Sequence, residues 1–97
     1  MTMDSLLKQA QAMKEKQQRE LSETVTKSKS KGGAVTATMD GHRHLRAIEI
    51  DPAIIDPENL SQLEEQVLTA INQATDKMDA ILRRKFGPSS GIPDLLG

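Results

Sequence analysis

The chain has no cysteine, no tryptophan, no tyrosine and a single phenylalanine, Phe86, in 97 residues. Without cysteine there are no disulfides and no thiolate metal sites, and nothing implies an oxidising compartment. Without aromatic platforms on which to stack unpaired bases, recognition of single-stranded DNA or of RNA by stacking is disfavoured. No apolar run approaches the roughly 20 residues that a membrane span needs, and the amino terminus lacks the apolar core of a signal peptide. A soluble cytoplasmic protein is expected. Apolar residues are scarce as well: at 36% of the chain they can build one small core, and oligomerisation is the simplest way to cover what one copy leaves exposed.

A formal net charge of −1 conceals a gradient. From Met1 to Gly33 there are seven basic and four acidic side chains; from Asp51 to Gly97 there are four basic and eight acidic. This is not the pattern of a uniformly basic nucleic-acid binder.

The longest helical pattern runs from Asp56 to Gly87. Asp56 can cap its first turn, Pro57 suits the first helical position, and Gly87-Pro88 ends it. Leu60, Leu63, Val67, Ile71, Ala74, Met78, Ile81 and Leu82 recur at steps of three and four, which predicts one apolar stripe. Glu64, Glu65, Gln73, Asp76 and Asp79 form the opposite face. A rod of roughly 45 Å is long for a domain whose compact radius of gyration is near 13 Å. Its stripe, with Leu60, Leu63, Val67, Ile71, Met78 and Ile81, is the candidate core and dimer surface, and a second copy of the chain is the expected remainder of the cover.

An earlier helix is predicted from Met3 to about Leu21, because Leu6 to Gln18 contains no Gly, Pro or β-branched residue. Its stripe of Met3, Leu6, Ala10, Met13, Gln17 and Leu21 is narrow. Lys8, Lys14, Lys16 and Arg19 stand off it, either as an ordinary solvated face or as a row of phosphate contacts. From Glu23 to Lys31, Val25, Lys27, Lys29 and Lys31 alternate with Thr24, Thr26, Ser28 and Ser30. This predicts a strand whose lysines protect a sheet edge, bind phosphate, or both; a flexible low-complexity loop is the third possibility. Gly32-Gly33 turns the chain into a second strand carrying Val35, Ala37 and Met39. Asp40-Gly41 predicts a type I′ hairpin into a third strand, His42 to Ile50, with a bulge near Arg46 or Ala47. The expected fold is α+β: long helix, three-stranded antiparallel meander, long helix, in one domain over residues 1–86 with 87–97 as a short flexible tail.

His42 and His44 share a strand face, but no third or fourth ligand is at hand, so no metal is expected; with Arg43 and Arg46 they form a polar, partly basic rim. No nucleophile triad, phosphate loop or carboxylate pair is present, so an enzyme, a cofactor or a small-molecule substrate is not expected.

LLKQAQAMKEKQQ from Leu6 to Gln18, the strand between Gly32-Gly33 and Asp40-Gly41, RAIEIDPAII from Arg46 to Ile55 and VLTAINQATDKM from Val67 to Met78 together resemble the YbaB/EbfC family of bacterial nucleoid-associated proteins. The resemblance spans Leu6 to about Lys85 and has the same order of elements. It implies a cytoplasmic, nucleoid-located homodimer that binds double-stranded DNA with little sequence preference. It also raises Lys8, Lys14, Lys16 and Arg19 as phosphate contacts; Lys27, Lys29 and Lys31, where the chain departs from the family's pattern, and Arg43 and Arg46 are further candidates on their charge alone. The acidic face of the long helix keeps a second reading open: a dimeric protein-interaction module of the replication or recombination machinery, with DNA contact incidental.

Overall fold

The computed structural model describes residues 2–87. The chain runs α1 (Met3–Glu23), β1 (Val25–Lys29), β2 (Val35–Asp40), β3 (Leu45–Ile50), a single 3-10 turn at Pro52–Ile54, and α2 (Leu60–Phe86). The strands form an antiparallel meander in the order β1-β2-β3. This is the α+β arrangement expected from the sequence. The tail expected after residue 87 lies outside the described residues.

The core is one layer of contact between α2 and the sheet. Val35, Ala37 and Met39 of β2 meet Ala70, Ala74, Met78 and Leu82 of α2, all buried. The four α2 residues are spaced by four, and two are alanines, so the helix axis can lie close over β1 and β2. That closeness explains why β1 can be nearly devoid of apolar residues. Thr24, Thr26, Ser28 and Ser30 are its buried face, whereas Val25, Lys27, Lys29 and Lys31 are exposed. Short hydroxyl side chains fit beneath the helix, and Ser30 serves the turn, its Oγ accepting from the Val35 N–H at 3.1 Å. Gly32 and Gly33 both take positive φ, +89° and +78°, which an L side chain resists.

Several boundaries differ from the sequence expectation. The long helix begins at Leu60 and not at Asp56, because the Asp56 carboxylate accepts from the Glu58 N–H and the Asp56 carbonyl from the Asn59 N–H, both at 2.9 Å. Local bonding of this kind competes with helix initiation. The expected end holds: Gly87 has φ +92° and donates its N–H to the Arg83 carbonyl. Along the stripe, Val67, Ile71 and Ile81 are half-buried beside the core, Leu63 is half-buried, and Leu60 is 52% exposed. Leu60 is therefore no core residue of the single chain. Asp79, assigned by spacing to the solvated face, is half-buried against Arg43.

The β2–β3 connection is not a two-residue type I′ turn. The Arg43 N–H closes on the Asp40 carbonyl at 2.9 Å, the Asp40 N–H pairs with the His44 carbonyl at 3.1 Å, and Arg43, not Gly41, takes positive φ. This is the three-residue form of the hairpin, and it delays β3 to Leu45. Gly41 is required for another reason: a Cβ there would stand 2.5 Å from the Leu21 carbonyl oxygen. The register slips between Thr38 and Met39, leaving Arg46 as the bulged residue where the broken alternation placed it.

α1 is capped by Thr2, whose hydroxyl accepts from the Ser5 N–H, and no residue of the helix is buried. Met3, Leu6, Leu7 and Met13 are between 48% and 72% exposed. Only its last turn, through half-buried Leu21, reaches the core. The molecule is consequently elongated, 67 × 23 × 21 Å with a radius of gyration of 18.2 Å.

Candidate nucleic-acid interface

Positive charge collects in three places. On α1, Lys8, Lys14, Lys16 and Arg19 are all exposed. At 3.6 residues per turn, Lys8, Lys16 and Arg19 fall within roughly 80° of arc on the side away from the apolar stripe, and Lys14 borders that stripe. On the sheet, Lys27, Lys29 and Lys31 are exposed; Lys27 Nζ lies 4.0 Å from the Glu49 carboxylate, a pair of two solvated groups. Such a pair yields readily to a competing anion, since exposed ion pairs contribute only about 0–1 kcal/mol.

The third group is one that sequence reasoning passed over. Lys77 in the second half of α2 and Arg83, Arg84 and Lys85 in its last turn are exposed, and they were hidden in the sequence by the acidic balance of the second half. Their signal was the Arg-Arg-Lys run itself. Two of them tie α2 to the segment around β1: Lys77 Nζ donates to the Lys27 carbonyl of β1 and Lys85 Nζ to Oγ1 of Thr24, the residue that closes α1, each at 3.0 Å. The end of α2 is thereby brought to the base of α1. Between them lies an open groove of about 640 Å³ lined by Ala10, Met13, Lys14, Lys16, Gln17, Glu20 and Phe86.

Arg43 and Arg46, candidates from the sequence, sit in a different setting. Arg43 Nε donates to Asp79 Oδ1 at 2.9 Å and its Nη2 contacts the same oxygen. Arg46 Nε donates at 2.6 Å to Oδ2 of Asp40, a fully buried carboxylate that also accepts from the N–H groups of His42 and His44. Burial on its own would raise the Asp40 pKa, but the hydrogen bonds from Arg46, His44 and His42 and the Arg46 charge outweigh it and hold the carboxyl below its ordinary range. Both arginines thus already neutralise carboxylates of their own chain. The two histidines lie with ring centroids 6.0 Å apart. Among the described residues no cluster of three or more His, Asp or Glu could hold a metal ion.

The geometry defines a small α+β protein with a protruding helix that carries cations and more cations at its base, beside an open groove. The chain belongs to the YbaB/EbfC DNA-binding family, whose model matches residues 1–91. It is 34% identical over 86 residues to a nucleoid-associated protein of Chloroflexus aurantiacus, covering 89% of this chain and 86% of that one. It is 37% identical over 102 residues to a nucleoid-associated protein of Streptomyces avermitilis, with 96% and 90% covered. Among solved structures, an uncharacterized protein from Helicobacter pylori shares the fold, with a TM-score of 0.62 at 20% identity over 81% of this chain and 92% of that one.

Proposed function

We propose that this protein binds double-stranded DNA through backbone phosphates and, as a homodimer in the bacterial nucleoid, alters the conformation and compaction of DNA and so its expression. The observation that carries this reading is α1: four cations stand on a helix that buries none of its own residues. Most of the stability of a protein helix comes from packing its apolar face, and α1 packs almost none of its face on its own chain, so a surface outside its own chain is the expected support. A second copy is the natural cover for its apolar stripe. Leu60, Leu68 and Leu45, 52%, 60% and 42% exposed, extend the surface that such a partner would occupy. Flexible lysine and arginine side chains that reach phosphate oxygens release condensed counterions, which makes binding salt-dependent and nearly indifferent to sequence. Two copies presenting the same patches to one duplex add avidity without new contacts. No cofactor and no small-molecule substrate enter this reading.

The test is charge reversal of Lys14, Lys16 and Arg19 to glutamate, beside a second variant with Lys27, Lys29 and Lys31 reversed. The α1 variant should lose duplex affinity by at least about tenfold while its sedimentation stays that of the wild type. Full affinity in the α1 variant, with loss in the β1 variant, would move the site to the sheet. Full affinity in both would refute the phosphate-contact reading. The protein-module alternative makes an opposite demand: partners should be retained after nuclease treatment of the cell extract.

A further inference from the structure

Within its own chain α1 is a lever held at one end, and the covering copy proposed above would meet it at the angle this end sets. Its fastening to the rest of the chain is concentrated at its last turn, and most of the pieces come from the β2–β3 hairpin. The Gly41 N–H donates to the Leu21 carbonyl at 2.9 Å, with no room for a side chain on Gly41. The His42 ring places Nε2 3.1 Å from Ser22 Oγ and 3.3 Å from the Gln18 carbonyl, bridging one full turn of the helix. The hairpin that offers these two residues is itself fixed: Asp40 holds the His42 and His44 N–H groups and Arg46, while Arg43 joins the loop to Asp79 of α2. A continuous path of polar contacts therefore runs from the body, through Asp79, Arg43 and the hairpin, to the root of α1.

We infer that the Gly41–His42 corner is the fulcrum that sets the angle of α1, and that His42 is a positioning residue for the cations on that helix. The functional part of this inference rests on the DNA-binding reading above. The leverage is large. Lys8 lies thirteen residues beyond Leu21, so at about 1.5 Å per residue it stands roughly 20 Å from the fulcrum, and a tilt of roughly 10° displaces it by about 3.5 Å. That displacement is comparable with the whole length of a charged hydrogen bond, so an arm free to tilt cannot hold its lysines in register with a fixed set of phosphates. His42 itself is exposed, which separates its effect on the arm from an effect on folding.

The chain has no native cysteine, so spin labels at Gln9→Cys on α1 and Asn72→Cys on α2 report the angle directly. Doubly labelled protein is diluted into excess unlabelled wild-type protein, and the label-to-label distance distribution is read by pulsed electron resonance without DNA. The wild type should give one narrow distribution. His42→Ala should broaden it about twofold or more with unchanged helical content, and His42→Gln, which can return a donor near the Nε2 position, should restore most of the narrow peak. Gly41→Ala, if it folds, should shift the mean distance, because the added Cβ must push the Leu21 carbonyl away. Equal distributions in wild type and His42→Ala would overturn the fulcrum. Because no DNA is present, the distance result stands or falls independently of the DNA reading. Duplex binding by His42→Ala is then measured separately, with weakened affinity expected. Undiminished affinity despite a loosened arm would overturn the positioning role.

Discussion

Replacing Asp40 by asparagine tests the physical reasoning at the joint between the sheet and the hairpin. The carboxylate is fully buried and accepts from Arg46 Nε at 2.6 Å, the His42 N–H at 2.9 Å and the His44 N–H at 3.0 Å. Asparagine can still accept both backbone bonds through its carbonyl oxygen, but it turns an NH₂ group toward the Arg46 guanidinium. The lost interaction is a charged hydrogen bond, about 1.5–3 kcal/mol. Because the Arg46 side chain is 51% exposed and can be rehydrated, a value of about 2 kcal/mol is expected at neutral pH. For a domain of this size that lowers the melting temperature by roughly 8–16 °C. The pH dependence has a definite sign. The folded-state pKa of Asp40 lies below its ordinary 3.8, so its contribution is fully present above the unfolded value and is lost as pH falls through the folded one. In urea melts at fixed protein concentration, the gap between wild type and Asp40→Asn should be constant from pH 7 to about pH 5 and close below the ordinary aspartate range. A gap under about 0.5 kcal/mol at pH 7, or one that widens with acid, would refute the reasoning.

Other outcomes follow from the packing and from the charge distribution. Met78→Ala, at a fully buried position facing β2, should cost about 2–5 kcal/mol by chemical denaturation. Leu60→Ala and Leu68→Ala, both on the exposed part of α2, should lower the association constant measured by sedimentation far more than they lower the stability of the single chain. Arg43→Ala strands the half-buried Asp79 carboxylate and should destabilise the hairpin measurably by hydrogen exchange at residues 40–45.

The order of elements was legible because periodicity survives without tertiary information: the steps of three and four in α2, the alternation in β2 and the breakers at Gly32-Gly33 and Gly87 each mark a local preference. The bulge was legible for the same reason, since Leu45 could not share a face with Ile48 otherwise. What the sequence could not show was set by contacts between distant residues. Gly41 reads as a turn glycine, yet its role is to admit the Leu21 carbonyl. Asp79 reads as a surface acid, yet Arg43, thirty-six positions earlier, folds onto it. Thr26 and Ser28 read as a polar face, yet small α2 residues leave space for them to be the buried one. The candidate phosphate contacts were visible as individual lysines; the approach of the α2 terminus to the root of α1, which adds Arg83, Arg84 and Lys85, was not.

The most direct test of backbone recognition is fluorescence anisotropy of a labelled duplex titrated with the full chain over a salt series, with single-stranded and scrambled-sequence competitors. Engagement of the four α1 cations from one protomer gives a log–log slope of about −3.6, and from two protomers about −7. A slope in that range, weak competition by single strands and equal competition by scrambled duplex are the expected results. A shallow slope, or no binding at low salt, would contradict phosphate recognition by this chain while leaving its fold and family in place.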